Sequence, residues 1–198
     1  MQSRLELLGV ILENGIMHID PAKQEGISKW PRILKDKTDV QRTMGMLQYH
    51  RQFIPKFSHL ARPIFATLKK GQAFTWTKEA EQALDEIIRQ IADDPQISHP
   101  NPDKPFELEI DASNYATGAV LFQRDKQGKR IEVGYHSRAL NAAERNYDVY
   151  DREFLALIRV FTFWRYLLQG LPYQIKVYTD HANLTKHREA QKLSGKIA

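Results

Sequence analysis

The sequence predicts an α+β or α/β chain in two parts, a small helical region followed by a mixed sheet with flanking helices. Three observations carry this. Residues 38–91 repeat apolar positions at helical spacing, residues 106–137 alternate as strands do, and a proline-rich stretch over 94–105 divides them. The 198 residues suit one or two small domains, and an apolar share of 42% is enough to build a core.

Each element has its own signal. Asn14-Gly15 between two short apolar runs marks a hairpin. Asp20-Pro21 opens a short helix, because proline at the first turn loses no needed hydrogen bond, and Trp30-Pro31 ends it. Thr38 and Gln41 stand at capping-box spacing ahead of Val40, Met44 and Leu47. Pro55 ends that helix or starts the next. Leu60, Ile64, Phe65 and Leu68 form another stripe, closed by Gly71. Thr77 is a suitable N-cap for a third helix with Ala80, Leu84, Ile87, Ile88 and Ile91 in the core.

Strands are expected over 106–111, 118–123 and 130–137, with a turn at Gln127-Gly128. Asn141 and Glu144 then read as an N-cap and its N3 partner, opening a long helix to about Leu168. Gly170-Leu171-Pro172 closes it. A fourth strand is expected over 174–180, and a second helix from near Ala182.

Composition narrows the function. Without cysteine there are no disulfides and no thiolate metal sites, which fits a reducing compartment. The apolar run over 7–12 is too short for a membrane span and lacks the flanks of a signal peptide. The expectation is an intracellular protein, cytoplasmic or nuclear, with no membrane partner. Net charge is +5, unevenly placed. Residues 32–70 hold nine basic and two acidic side chains, and residues 79–111 hold ten acidic and two basic. Such a division suits a protein that grips phosphates with one part and metal with another, and solvated helix faces give the same pattern.

Three acids stand on elements that belong in a core. Asp111 and Asp180 end alternating runs, and Glu153 lies among Val149, Leu157 and Val160 on one side of a helix. Buried carboxylates are costly unless compensated, and clusters of them hold magnesium or manganese. The bland readings are a salt bridge from Glu153 to Arg138, Arg145 or Arg152, and turn-forming or capping roles for the aspartates. In residues 49–57, Arg51 and Lys56 interleave with Tyr49, Phe53 and Phe57. Basic residues among aromatics suit a nucleic-acid backbone, and aromatics at this spacing also suit a core.

Several longer motifs occur together: Phe-Glu-Leu-Glu-Ile-Asp-Ala-Ser-Asn-Tyr-Ala-Thr-Gly-Ala-Val-Leu (106–121), Tyr-His-Ser-Arg-Ala-Leu-Asn-Ala-Ala-Glu-Arg-Asn-Tyr (135–147), Asp-Arg-Glu-Phe-Leu-Ala-Leu (151–157) and Tyr-Thr-Asp-His-Ala-Asn-Leu (178–184). In this order they resemble the ribonuclease H region of gypsy-type LTR retrotransposon polyproteins. Upstream, Leu8-Gly9-Val10, Lys29-Trp30-Pro31, residues 49–55, Phe57-Ser58 and residues 74–77 resemble the end of the polymerase palm and the thumb and connection of the same polyprotein.

The resemblance implies a palm-like end over 1–30, a thumb- and connection-like region over 31–93, a linker over 94–105 and an RNase H-like domain over 106–198. It implies an endonuclease that cuts the RNA strand of RNA/DNA hybrids with two Mg2+ or Mn2+ ions about 4 Å apart. The family's metal-binding carboxylates fall on Asp111, Glu153 and Asp180. Its fourth aspartate and closing helix would fall beyond Ala198, so the domain is expected to be incomplete and its cleavage reduced. The paired aspartates of the polymerase site are not in the chain. Ser113, Asn114 and Tyr115 are expected to meet the RNA strand. Arg138 and Arg145 are read as phosphate contacts or as solvated surface, and His181 as a contact to the scissile phosphate or as an anchor of the helix start. Arg51 and Lys56 are expected to track a template–primer duplex, with other parts of the polyprotein as partners. The alternatives left open are a non-catalytic nucleic-acid-binding remnant and a fragment without a stable fold.

Overall fold

A computed structural model describes residues 4–179. The helix expected near Ala182, and the candidates Asp180 and His181, lie outside the described residues. The chain divides into two compact units, Met1–His99 and Pro100–Ala198.

The first unit combines a sheet with five helices. Strands β1 (Arg4–Leu7), β2 (Val10–Glu13), β3 (Ile16–Ile19) and β4 (Gln96–Ser98) run antiparallel in that order. Asn14 and Gly15 both have positive φ, as a two-residue hairpin turn requires. Leu8 and Gly9 make a second such turn that carried no Asn or Asp signal. Strand β4 forms inside the stretch expected to be a linker, because Ile97 is buried against β3 opposite Met17.

Helix α1 (Pro21–Ser28) starts as expected, with Asp20 accepting from the Ala22 amide. Helix α2 (Lys37–Tyr49) is capped by Asp36, which accepts from the Asp39 amide, rather than by the Thr38–Gln41 pair. An aspartate two residues upstream satisfies the same orphan amides and adds charge complementary to the helix dipole. Helices α3 (Phe57–Leu60) and α4 (Arg62–Ala66) replace the single stripe expected there. Ile64 is buried, whereas Phe65 is exposed. Helix α5 (Lys78–Ala92) is capped by Thr77, and its five expected core residues are all buried.

The second unit is built on a sheet of order β7-β6-β5-β8. Strands β5 (Glu107–Ala112), β6 (Ala116–Arg124) and β7 (Arg130–Ala139) form the expected meander, and β8 (Lys176–Tyr178) joins β5 in parallel. Phe106, Leu108 and Ile110 bury one face against Val160, Trp164 and Leu168 of the helices that follow.

The helix expected from Asn141 to about Leu168 is three pieces. The capping box is present: Asn141 and Glu144 exchange side-chain bonds to each other's amides at 2.8 and 2.9 Å. It opens only a 3-10 turn (Glu144–Asn146), because Tyr147 is extended at ψ 147°. Helix α6 (Val149–Phe163) starts afresh under an Asp148 cap, and α7 (Arg165–Leu168) follows a break at Trp164. A part-buried ion pair ties this turn to α6. Arg159 Nη2 donates to both Glu144 oxygens at 2.7 and 2.8 Å, and Nη1 donates to the Thr117 hydroxyl at 3.3 Å. The pair holds Glu144, and with it the 3-10 turn, against α6. Burial pushes the Arg159 guanidinium below its usual value, while Glu144 pulls it back up.

On the other face of β5, Glu107 is buried and accepts two bonds from Arg124 and one from the Tyr178 hydroxyl, tying β8 to the sheet. Bonds from Arg124, with help from Tyr178, hold the Glu107 carboxyl below its ordinary value, against desolvation.

Two outcomes follow from these contacts. Glu144→Ala strands the Arg159 charge and lowers unfolding free energy by about 3 kcal/mol in urea titration. The contribution of Glu107 is fully present above the ordinary glutamate value of 4.5 and is lost as pH falls through its lower folded value. The stability gap between the unsubstituted chain and Glu107→Gln therefore narrows on acidification, read as melting temperature at neutral pH and in acid.

Candidate functional site

The site begins where β5 ends. Asp111 is half-buried, opposite Gly118 on β6, and Ala112 is the last strand residue. From α6, Glu153 points into this strand end and is only 1% exposed. A carboxylate that deep needs donors. Its Oε1 accepts from the Ala112 amide at 3.2 Å, and its Oε2 accepts from the Thr179 hydroxyl at 3.3 Å. One buried acid thus touches the residue after Asp111 and the last described residue of the β8 segment.

Two of the arginines considered as partners for Glu153 donate to other groups. Arg152 donates to the Asn114 side-chain oxygen and to the Asp148 carbonyl, and Arg145 donates to the Leu140 carbonyl. The buried arginine of α6 is Arg159, which the sequence reading passed over. Its signal was legible: Ala156, Arg159 and Val160 share the buried stripe, and a cation there needs an acid. Asp151, 2% exposed, is a further buried acid on the same helix.

After Asp111 the chain turns sharply. Ser113 Oγ accepts from the amides of Tyr115 and Ala116 and donates to the Ala116 carbonyl, a side chain doing the work of a backbone turn. The Tyr115 carbonyl accepts from the Leu140 amide. Asn114 and Tyr115 are exposed at its tip. Arg138 is exposed on β7, opposite Thr117. The structure therefore gathers Asp111, Glu153, Ser113, Asn114, Tyr115 and Arg138 around one end of the sheet. Among the described residues no three acids or histidines converge closely enough to hold a metal ion.

Arg51 and Lys56 belong to the first unit. Arg51 lies over the Phe57 ring at 5.8 Å, and Lys56 has positive φ ahead of α3. Phe53 and Phe57 are core, whereas Tyr49 is exposed. The basic block is partly neutralised within its own unit, since Arg32 pairs with Asp85 and Arg42 with Asp39.

Residues 76–177 match the model of the RNase H-like domain found in reverse transcriptase. The chain belongs to that family of reverse transcriptase RNase H-like domains. Its match runs from just before α5 into β8. The Tf2-3 and Tf2-4 transposon polyproteins of Schizosaccharomyces pombe are each 36% identical over 187 residues. Those alignments cover 92% of this chain and 14% of each polyprotein, so the RNase H-like chain spans about a seventh of its curated relatives. The retrotransposon resemblance in the motifs is thereby borne out. The fold recurs in a foamy viral protease–reverse transcriptase dRH in complex with double-stranded DNA, at TM-score 0.78 and 16% identity over 97% of this chain and 33% of that one. It recurs in the same viral enzyme in complex with an RNA/DNA hybrid, at TM-score 0.72 and 18% identity over 97% and 26%. No helix among the described residues is long and apolar enough to cross a membrane.

The Glu153 contacts have a measurable consequence. Glu153→Ala leaves the part-buried Ala112 amide without this acceptor and costs about 1–3 kcal/mol in denaturant titration, with faster hydrogen exchange at Ala112. Glu153→Gln keeps an acceptor oxygen and costs less.

Proposed function

We propose that this RNase H-like domain hydrolyses the RNA strand of RNA/DNA hybrids, with Asp111, Glu153 and Asp180 holding Mg2+ or Mn2+. One observation carries the reading. The buried Glu153 carboxylate touches the residue following Asp111 and the residue preceding Asp180, so it links the chain beside both other acids. The donor set fits the ions: all three candidates are carboxylates, and hard oxygen ligands suit magnesium and manganese. When bound, such ions lower the pKa of water and stabilise charge on the leaving oxygen.

The chain's own residues supply position. Burial fixes the Glu153 side chain before any ion arrives, which limits the reorganisation that binding requires. Asp111 lies next to the last residue of β5, paired with β6, and β8 holds the other side of the same strand at Glu107–Glu109. The Ser113 turn and Arg138 offer hydroxyl, amide and cationic donors around Asp111, suited to the 2′-hydroxyls and phosphates of a hybrid. His181 follows Asp180 directly and is assigned to the same approach. Arg51 and Lys56 of the first unit are assigned to the backbone of a template–primer duplex. The complexes named for the structural neighbours support a duplex as ligand, and the polymerase chemistry belongs to other parts of a longer polyprotein.

The test is a labelled RNA/DNA hybrid incubated with the chain and Mg2+ or Mn2+. Asp111→Asn is expected to slow cleavage by at least about a hundredfold while hybrid affinity in EDTA changes less than about twofold. Cleavage undiminished in that variant would refute the assignment. Binding without cleavage by the unsubstituted chain would mark a nucleic-acid-binding remnant instead.

A further inference from the structure

The end of the second sheet away from Asp111 is hollow. A cleft of about 640 Å3 opens where β5 and β8 begin and β6 ends, bounded by the segments around Lys104, Lys126 and Tyr173. Glu107, in its lining, and Asp111 stand roughly 13 Å apart along β5, so the cleft is separate from the strand-end acids. Its walls are tied down. Gln123, 5% exposed, donates from Nε2 to the carbonyls of Asn101 and Lys104 at 2.7 and 3.0 Å, and its Oε1 accepts from the Asn101 amide at 2.9 Å. The Tyr173 hydroxyl donates to the Asp103 carbonyl at 2.8 Å, joining the segment before β5 to the segment before β8. These bonds preform the cleft, which lowers the ordering that a ligand must bring about.

Four cations and two carboxylates line the cleft, and both carboxylates are already satisfied. Glu107 takes its bonds from Arg124 and the Tyr178 hydroxyl, and Asp125 accepts from the Gln127 and Lys129 amides at 2.9 and 2.8 Å. Among the described residues, no carboxylate comes within ion-pair distance of Lys104, Lys126 or Lys176. Three lysines that share one cleft without a partner repel one another, and an anion relieves that repulsion. The volume falls in the range of small-molecule sites, about 300–1,000 Å3, which is more than a lone phosphate fills. Pro105, Pro172 and the Tyr173 ring add an apolar part to the lining. Lysines pair with phosphates, and aromatic rings stack on bases. We infer that this cleft binds an unpaired nucleotide, with its phosphates among Lys104, Lys126 and Lys176 and its base against Tyr173. The nucleotide is either a free nucleoside triphosphate or an unpaired residue of a single strand, since both present a phosphate and an open base. The site uses none of the carboxylates assigned to cleavage and does not rest on that assignment.

The experiment titrates the full chain in EDTA with ATP and with inorganic tripolyphosphate by calorimetry, and with a labelled single-stranded oligonucleotide by fluorescence anisotropy. Lys126→Ala and Lys176→Ala should each weaken nucleotide binding by about five- to tenfold. Tyr173→Leu should weaken it by about threefold or more and leave tripolyphosphate unaffected, while Tyr173→Phe, which keeps the ring, should retain most of it. Metal-dependent cleavage of an RNA/DNA hybrid should stay within about twofold in the two lysine variants, because the cleft is remote from the acids. Melting curves of each variant establish that it is folded. ATP binding that follows this pattern assigns the cleft to free nucleotides, and the same pattern confined to the oligonucleotide assigns it to a single strand. Tripolyphosphate binding as tightly as ATP, with Tyr173→Leu silent, overturns the inference and leaves a site for charge alone. Binding of neither ligand, or binding that the lysine variants do not weaken, also overturns it, and the proposed function stands in either case.

Discussion

The second unit depends on one buried acid. Glu153 is carried by an apolar helix to the end of a strand, where water no longer pays its solvation. Such a group is tolerable only where fixed donors replace the lost water. The Ala112 amide and the Thr179 hydroxyl come from segments 67 residues apart in sequence, so the compensation itself closes the fold around the acid. Replacing Glu153 with a hydrophobe of similar size would ask less of the fold. An acid kept there, beside an aspartate near the strand end, accords with the binding role proposed for the position as well as with its part in the fold.

Two further polar contacts keep that arrangement in register. Glu107, Arg124 and Tyr178 join the short strand β8 to β5 and β6 on the face away from α6. Three residues of parallel pairing is little to hold a strand, and Tyr178 adds a stacked contact with Phe122 at 6.1 Å. Arg159 and Glu144 fix the loop between β7 and α6, which sets where the helix starts and so where Arg152 and Glu153 project. Each contact is an ion pair or charge-assisted bond reaching across the sequence, and each orients a backbone segment rather than filling space.

The strands, the hairpin at Asn14-Gly15, helix α5 and its buried stripe were legible because period and turn chemistry are local properties. Three features were not. Asp36 captured the α2 cap because an extended aspartate upstream competes directly with Thr38 for the same amides. The Asn141–Glu144 box was read correctly as a local motif and wrongly as the start of a long helix; its turn ends at the extended Tyr147, and Arg159, fifteen residues after Glu144, holds the same carboxylate. Strand β4 arises in a proline-rich segment because β3 offers an open edge for Ile97 to cover, which no local pattern reveals. At the site, Asp111 and Glu153 were visible as acids out of place. Thr179 and the Arg152–Asn114 contact were not, because they have meaning only once α6 lies against the strand end.

Under the proposed function, Glu153 at the end of β5 organises ion binding, and the acidic helix α5, which carries Glu79, Glu81, Asp85 and Glu86, does not. The most direct measurement is paramagnetic broadening of amide NMR signals by substoichiometric Mn2+ on the full chain. Early loss of the Ala112 and Glu153 signals, with α5 little affected, is the predicted result. Broadening that starts on α5 and spares Ala112 would contradict the claim and leave the buried glutamate a structural residue alone.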